Sequence, residues 1–249
     1  MIVSNRNIAS LFFRLILGFV YLTAGFSKLA PNYIGNVIGP SKLPEDLFSI
    51  EVLYLFYAMA FLQIVAGTLV LSLRYAGAGL LLLLPLTLAI LIFTLVAGFG
   101  ATPIINVILF GMALFEVFRE NDAFSKQTVN TPYIYCILKK VEYTYPSIFP
   151  HTTIALVGLS LLTVPIPSIH LNVLLTVALC LIAVMLMRLA HLALIDKTLV
   201  LLFTAFGLSI INGIWLKELD PRFFYKALIL IPIGGIVGLI RIAWYRFKI

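Results

Sequence analysis

Charged residues are scarce in this chain. Of its 249 residues only 11% are charged, whereas 62% are hydrophobic and the mean hydropathy is +1.13. Soluble domains carry roughly a quarter charged residues, and a soluble chain this apolar could not cover its core with polar surface. The composition therefore excludes an ordinary soluble domain. It predicts an all-α membrane protein, a polytopic helical bundle whose solvent is the lipid bilayer.

Motifs of metal and nucleophilic chemistry are also missing from the sequence. The two cysteines, Cys136 and Cys180, lie far apart without a CxxC pair, which puts a disulfide-exchange role in doubt. The three histidines lack metal-ligand spacing, and neither a glycine-rich phosphate loop nor a Ser/His/Asp set is visible. We therefore predict no metal site and no catalytic residue, and the question whether the chain is an enzyme stays open.

The charge that is present is mostly positive, with a formal net charge of +7 and a pI of about 9.5. A basic balance can indicate nucleic-acid binding, but no basic run with interleaved aromatic residues lies outside the predicted membrane ends. The excess is better explained by the accumulation of Lys and Arg on cytoplasmic loops. We predict no nucleic-acid partner.

Long hydrophobic runs predict about eight transmembrane helices, at 8–30, 50–73, 76–97, 103–118, 152–164, 171–193, 198–216 and 223–245. With eight spans, eleven Lys and Arg residues lie on the side of the N-terminus and five on the other side. This bias predicts a multi-pass protein with both termini in the cytoplasm. A seven-span alternative without the short fifth helix would place the basic C-terminus outside. The first apolar stretch is too long for a cleavable signal and contains Arg14, so we interpret it as a span.

A polar connection at 120–150 divides the chain into a predicted four-helix transmembrane bundle at 1–119 and a second four-helix half at 151–249. The connection is too short for an independent domain. We expect it in the cytoplasm, with a short interfacial helix at 134–143. The two halves suggest a duplication, but their sequences give no convincing alignment.

The first predicted helix carries a polar stripe. At about 100° per residue, five of its side chains lie within about 40° of one line: Arg14, Gly18, Tyr21, Gly25 and Lys28. One interpretation is a seam where the glycines let another helix approach, while the cations reach out to the two membrane surfaces. The other is a site lined by the stripe, with a cation at each end.

Arg14 lies roughly 9 Å of helix rise inside the first span, and a guanidinium at that depth needs a partner. The fourth span runs in the opposite direction and places Glu116 at a similar cytoplasmic depth. We therefore predict that Arg14 pairs with Glu116. Arg119, one turn further along the fourth span, is the competing partner for this carboxylate.

Lys28, at the other end of the stripe, faces an acidic loop. For this lysine we favour surface ion pairing, which stabilises a protein little, over a binding site. The candidate acidic partners are Glu45, Asp46 and Glu51.

Several further polar groups lie in or near the predicted spans. Gln63, near the middle of the second span, must find a hydrogen bond from a neighbouring helix or from a ligand, and we favour the helix. The same holds for Asn106 and Asn212. Gly234 and Gly238 form a GxxxG step, which predicts a helix contact.

A charged group lies near the cytoplasmic end of the sixth span. It could bind an anionic headgroup or a quinone carbonyl, but we favour a simple interfacial anchor. Its members are Arg188, His191, Asp196 and Lys197.

The first span, LFFRLILGFVYLTAGFSKLAP, resembles the opening helix of the DoxX-like membrane protein family. That helix carries an arginine, a glycine four residues later and an A-G-x-x-K-L ending, here Arg14, Gly18, Ala24, Gly25, Lys28 and Leu29. The next three spans resemble the family in a polar residue followed by glycine, a cytoplasmic arginine and an asparagine, here Gln63, Gly67, Arg74, Asn106 and Gly111. The likeness covers about residues 8–119, and the second four-span half departs from the family.

The resemblance implies a DoxX-like four-helix bundle in a bacterial inner membrane. Family members are similar to the small subunit of thiosulfate:quinone oxidoreductase, or are linked to oxidative-stress complexes, to maturation of a methylamine-oxidising enzyme or to cargo export receptors in eukaryotes. It implies an accessory or redox-associated membrane subunit with a quinone or lipid as ligand and other membrane or periplasmic subunits as partners. If catalytic, the chain would be a membrane subunit of a quinone-linked oxidoreductase.

The predicted ligand site combines the stripe with two further polar residues: Arg14, Tyr21, Lys28, Gln63 and Glu116. The alternative function is a small-molecule or lipid transporter, which two four-span halves would permit. Coupled transporters usually need more intramembrane ionisable residues than this chain has.

Overall fold

The computed structural model describes residues 5–43, 49–100, 102–125, 148–164, 170–188 and 192–246. Within these ranges all regular secondary structure is helical, which confirms the predicted all-α class. The described residues form ten helices: α1 Asn5–Leu29, α2 Ile50–Leu71, α3 Ala76–Val96, α4 Thr102–Ser125, α5 Ile148–Thr163, α6 His170–Met187, α7 Leu194–Ile211, α8 Gly213–Leu219, α9 Phe223–Leu228 and α10 Leu230–Arg246.

Five of these helices contain a segment long and apolar enough to cross a membrane. They are Ser10–Leu29 of α1, α2, α3, Thr102–Arg119 of α4, and α7. Three shorter apolar stretches, His151–Leu162, Leu171–Met187 and Leu230–Arg241, coincide with the other predicted spans. The chain is thus a multi-pass helical membrane protein, with five candidate spans in the part that the structure describes, whereas the sequence predicts eight.

Several predicted helix ends differ from the observed ones. α4 runs to Ser125, past the predicted start of the polar connection at 120. The predicted seventh span is divided between α7 and α8 at Asn212, whose side-chain Nδ2 donates to the carbonyl of Leu208 at 3.1 Å. A side chain that bonds nearby backbone in this way offers an alternative to the helical ladder. The predicted interfacial helix at 134–143 lies outside the described residues.

Contacts divide the chain into two compact units. The N-terminal unit consists of Phe13–Pro31 and Asn36–Ile154, and the C-terminal unit of Met1–Phe12, Asn32–Gly35 and Ala155–Ile249. The core of the N-terminal unit is a cluster of buried apolar side chains from α1 to α4, with the fully buried Tyr21 among them.

Two polar contacts organise the C-terminal unit. Asn172 of α6 donates from Nδ2 to the carbonyls of Tyr33, at 2.7 Å, and Ile211, at 2.9 Å, so that it ties two backbone segments together. Lys226 of α9 donates a hydrogen bond to Asp220 in the turn between α8 and α9, which lowers the pKa of that carboxyl group.

Candidate functional site

The glycines of the α1 stripe form a close-packed seam with α2. A Cβ atom on Gly18 would lie 2.9 Å from the carbonyl oxygen of Gly67, and one on Gly25 would lie 2.6 Å from that of Ala60. Only hydrogen in place of a side chain permits such backbone contact. The packing interpretation of the two glycines is therefore confirmed.

At the Arg14 end of the stripe the predicted ion pair is present. Arg14 Nε lies 2.9 Å from Glu116 Oε2, and both side chains are buried. The competing partner is also there, because Arg119 Nε lies 3.8 Å from Glu116 Oε1. The predicted pairing of Arg14 with Glu116 is thus confirmed, and it links α1 to α4.

At the other end of the stripe Lys28 is buried, with only 7% of its surface exposed. Its Nζ donates to Gln63 Oε1 at 3.0 Å and to the carbonyl of Ala24 at 3.2 Å. Because Ala24 lies one turn earlier in α1, the lysine side chain runs back along the helix instead of reaching outward. The Phe56 ring covers Nζ, with its centroid 5.7 Å away.

The expected surface position of Lys28 is wrong, because its side chain is buried, whereas its pairing with the acidic loop stays a prediction. No carboxylate among the described residues bonds to Lys28, and Glu51 is exposed at the start of α2. The other two predicted partners, Glu45 and Asp46, lie outside the described residues. Lys28 is buried because its side chain folds back along α1, where Nζ bonds to the Ala24 carbonyl and to the Gln63 amide oxygen.

The Gln63 side chain is left with unused donors. An ammonium group can only donate, so the amide must present its oxygen to Lys28 and turn Nε2 elsewhere. Gln63 is 1% exposed, and Nε2 has no hydrogen-bond partner among the described residues. Lys28 uses two of its three N–H groups, so among the described residues the pair holds three donors without an acceptor.

The five predicted site residues fall into two groups along α1, and whether one ligand spans both groups stays a prediction. Arg14 and Lys28 are separated by about 21 Å of helix rise, and each contacts a different partner, Glu116 or Gln63. Tyr21 lies between them in the core, and its hydroxyl group has no hydrogen-bond partner in the described part of the chain. The structure therefore separates a neutralised ion pair from a polar pair with unused donors.

Of the other helix contacts predicted from the sequence, those of the two asparagines are present and that of the GxxxG step is not present among the described residues. Asn106 donates from Nδ2 to Thr94 Oγ1, and Asn212 donates to Thr176 Oγ1, each at 3.1 Å, which confirms both as interhelical contacts. By contrast, the predicted GxxxG contact in α10 is wrong within the described residues. A Cβ atom on any glycine of that step would meet nothing within 4 Å.

Sequence reasoning missed a buried ion pair in the C-terminal unit. Arg241 of α10 donates from Nε to Asp196, and both side chains are buried. Asp196 also accepts the N–H of Ala193 at 3.1 Å, which caps the start of α7. The sequence does contain a signal for the role of Asp196: an acidic residue at the third position of a helix is typical of an N-terminal cap. The sequence prediction of an interfacial anchor does not use this signal. His191 of that group lies outside the described residues.

The chain matches no family model, no curated protein and no solved structure.

Proposed function

We propose that this protein is an accessory, redox-associated membrane subunit of the DoxX-like type. Its N-terminal unit holds a lipid-soluble ligand with an oxygen-bearing head, a quinone or a lipid, and it docks a membrane or periplasmic partner protein. We place it in a bacterial inner membrane, with eight spans and both termini in the cytoplasm. The chain contributes binding and positioning, and a partner contributes any redox centre.

One observation carries the ligand part of this proposal: the buried Lys28–Gln63 pair with its three unused donors. Inside a membrane protein, unsatisfied polar groups are costly, and ionisable side chains mark functional sites. Lys28 belongs to the A-G-x-x-K-L ending on which the family resemblance rests. The ring of Phe56, which lies over Nζ, is only partly buried, so its displacement would open the lysine to an entering headgroup.

The proposed topology is supported by the helices and the basic residues together. The five long candidate spans and the three shorter apolar helices coincide in position with the eight predicted spans. In that arrangement most Lys and Arg residues lie on the side of both termini, as positive charge does in the cytoplasm. Accessibility of cysteines introduced at the two ends, probed in intact cells, tests this topology.

Co-purification tests the function. The protein is extracted from its native membrane in a mild detergent and examined by native mass spectrometry. We expect a partner subunit together with a bound isoprenoid or lipid. The Lys28→Met variant should lose the ligand, whereas Lys42→Met, which removes an exposed lysine, should keep it. A wild-type protein that leaves the membrane alone, without partner or ligand, would contradict the proposal.

A further inference from the structure

The N–H groups of Lys28 and Gln63 that have no acceptor among the described residues restrict which ligand headgroups the site can bind. All three unused groups are N–H donors. A ligand that bonds to them must therefore bring acceptor oxygens. A headgroup whose polar atoms are mainly donors, such as an amine, would leave these groups unsatisfied.

Charge narrows the ligand further. Among the described residues Lys28 contacts one amide, one carbonyl and one aromatic ring, each of which is neutral. A buried ammonium group is strongly disfavoured without a counter-charge. Charge-assisted hydrogen bonds to carboxylate or phosphate oxygens are roughly twice as strong as those between neutral groups. An anionic headgroup supplies both the acceptors and the missing charge.

The position of the pair indicates the rest of the ligand. Lys28 begins at the end of a candidate span, its side chain runs back to the level of Ala24, and on α2 the exposed Tyr57 packs against the Phe56 ring with the ring centroids 5.8 Å apart. Aromatic side chains of this kind are typical of the boundary between hydrocarbon and water. A molecule whose head reaches Lys28 would thus extend its apolar part along the exposed surface of the helices.

We propose that Lys28 and Gln63 bind the anionic oxygen headgroup of a single-charged amphiphile, a carboxylate or a phosphate, with Phe56 as the displaceable cover. The inference rests on the proposed function, since it specifies the ligand of the same site. It differs from that function in one respect: a neutral quinone supplies acceptors but no charge.

The test compares charged and neutral probes on the full-length protein in a nonionic detergent. Thermal unfolding is followed while oleate, phosphatidylglycerol, oleyl alcohol or a short-chain ubiquinone is added. Oleate and oleyl alcohol have the same chain and differ in the charge of the head. We expect a concentration-dependent rise in Tm with oleate or phosphatidylglycerol and none with the alcohol. A larger rise in Tm with oleate indicates a carboxylate headgroup, and a larger rise with phosphatidylglycerol indicates a phosphate headgroup.

Three variants connect the effect to the site. Lys28→Met keeps the apolar length and should weaken anion binding at least about tenfold, as expected for loss of a charged hydrogen bond. Gln63→Glu supplies a carboxylate from the chain itself, so it should also prevent anion binding while leaving the protein folded. Lys42→Met should bind as the wild type does. A cooperative unfolding transition of the Gln63→Glu protein without ligand, at a Tm no lower than that of the wild type, shows that its loss of binding is not due to unfolding.

The outcomes separate this inference from the proposed function. If the quinone raises Tm through Lys28 and the anions do not, the anionic ligand is overturned and the proposed function stands. If Lys28→Met and Gln63→Glu bind anions as tightly as the wild type does, the site itself is overturned. If no probe acts on the wild type, both fail.

Discussion

The α1–α2 seam makes a quantitative prediction about stability. In Gly25→Ala the new Cβ atom would meet the carbonyl oxygen of Ala60 at 2.6 Å and the side chain of Ile64 at 2.5 Å. The side chain can rotate, but the carbonyl belongs to the backbone of α2, so the two helices must separate by several tenths of an ångström. Forcing an extra methyl group into a packed core costs about 1–3 kcal/mol. We expect Gly25→Ala to lower the free energy of unfolding by that amount.

Gly111→Ala is the matched control. It makes the same substitution inside α4, where a Cβ atom would meet nothing within 4 Å. Since alanine favours a helix over glycine by about 1 kcal/mol, this variant should be as stable as the wild type or more so. Circular dichroism of the protein in mixed micelles, followed as SDS is titrated, gives the free energy of unfolding for each. Equal stability of Gly25→Ala and Gly111→Ala would refute the close backbone contact.

Three further predictions concern the buried polar contacts, and the same unfolding measurement checks each. Glu116→Ala should cost about 3–5 kcal/mol, because it leaves Arg14 buried without its carboxylate; a double variant with Met at 14 and Leu at 116 should recover most of that loss, and failure to recover would mean that the pair is not the cause. Asn106→Ala should cost about 1 kcal/mol or less, as is usual for one interhelical hydrogen bond in a membrane, and a larger loss would require a contact beyond Thr94. Asp196→Ala should destabilise the C-terminal unit more than Arg241→Met does, because it removes both the ion pair and the acceptor of the Ala193 N–H that caps α7; the opposite order would show that the cap contributes nothing.

Depth along a helix was a reliable guide for Arg14. Residue spacing and antiparallel direction place Glu116 at the same level, and at that depth the sequence offers few other acidic partners. The identity of the pair could therefore be predicted without a structure. The same reasoning does not reach Arg241, because the predicted spans place Asp196 in the connection between 193 and 198 and Arg241 near the end of the eighth span, where a charged side chain reaches water without a buried partner.

Lys28 shows where sequence reasoning stops. Its position at the end of a span is compatible both with a side chain that reaches outward and with one that folds back, and sequence spacing does not distinguish the two. The outcome depends on the amide of Gln63 and the ring of Phe56, which α2 brings against α1. That contact in turn depends on the glycine seam.

The glycines illustrate the same limit. Gly18 and Gly25 lie seven residues apart on α1, and the GxxxG glycines lie four apart on α10, so each pair shares one helix face and predicts a helix contact. Only the former two meet another helix among the described residues. A pattern of small residues indicates that another helix can approach that face closely. Which helix does so, if any, depends on how the whole unit packs.

The most direct test of the ligand site is a cryo-electron microscopy map of the wild-type protein in its native lipid. If Lys28 and Gln63 bind a headgroup, the map will show density for oxygens about 3 Å from both Lys28 Nζ and Gln63 Nε2, with the Phe56 ring moved aside. A map in which a carboxylate of the chain itself occupies that position, or in which Phe56 closes over Lys28 without a ligand, would contradict that binding.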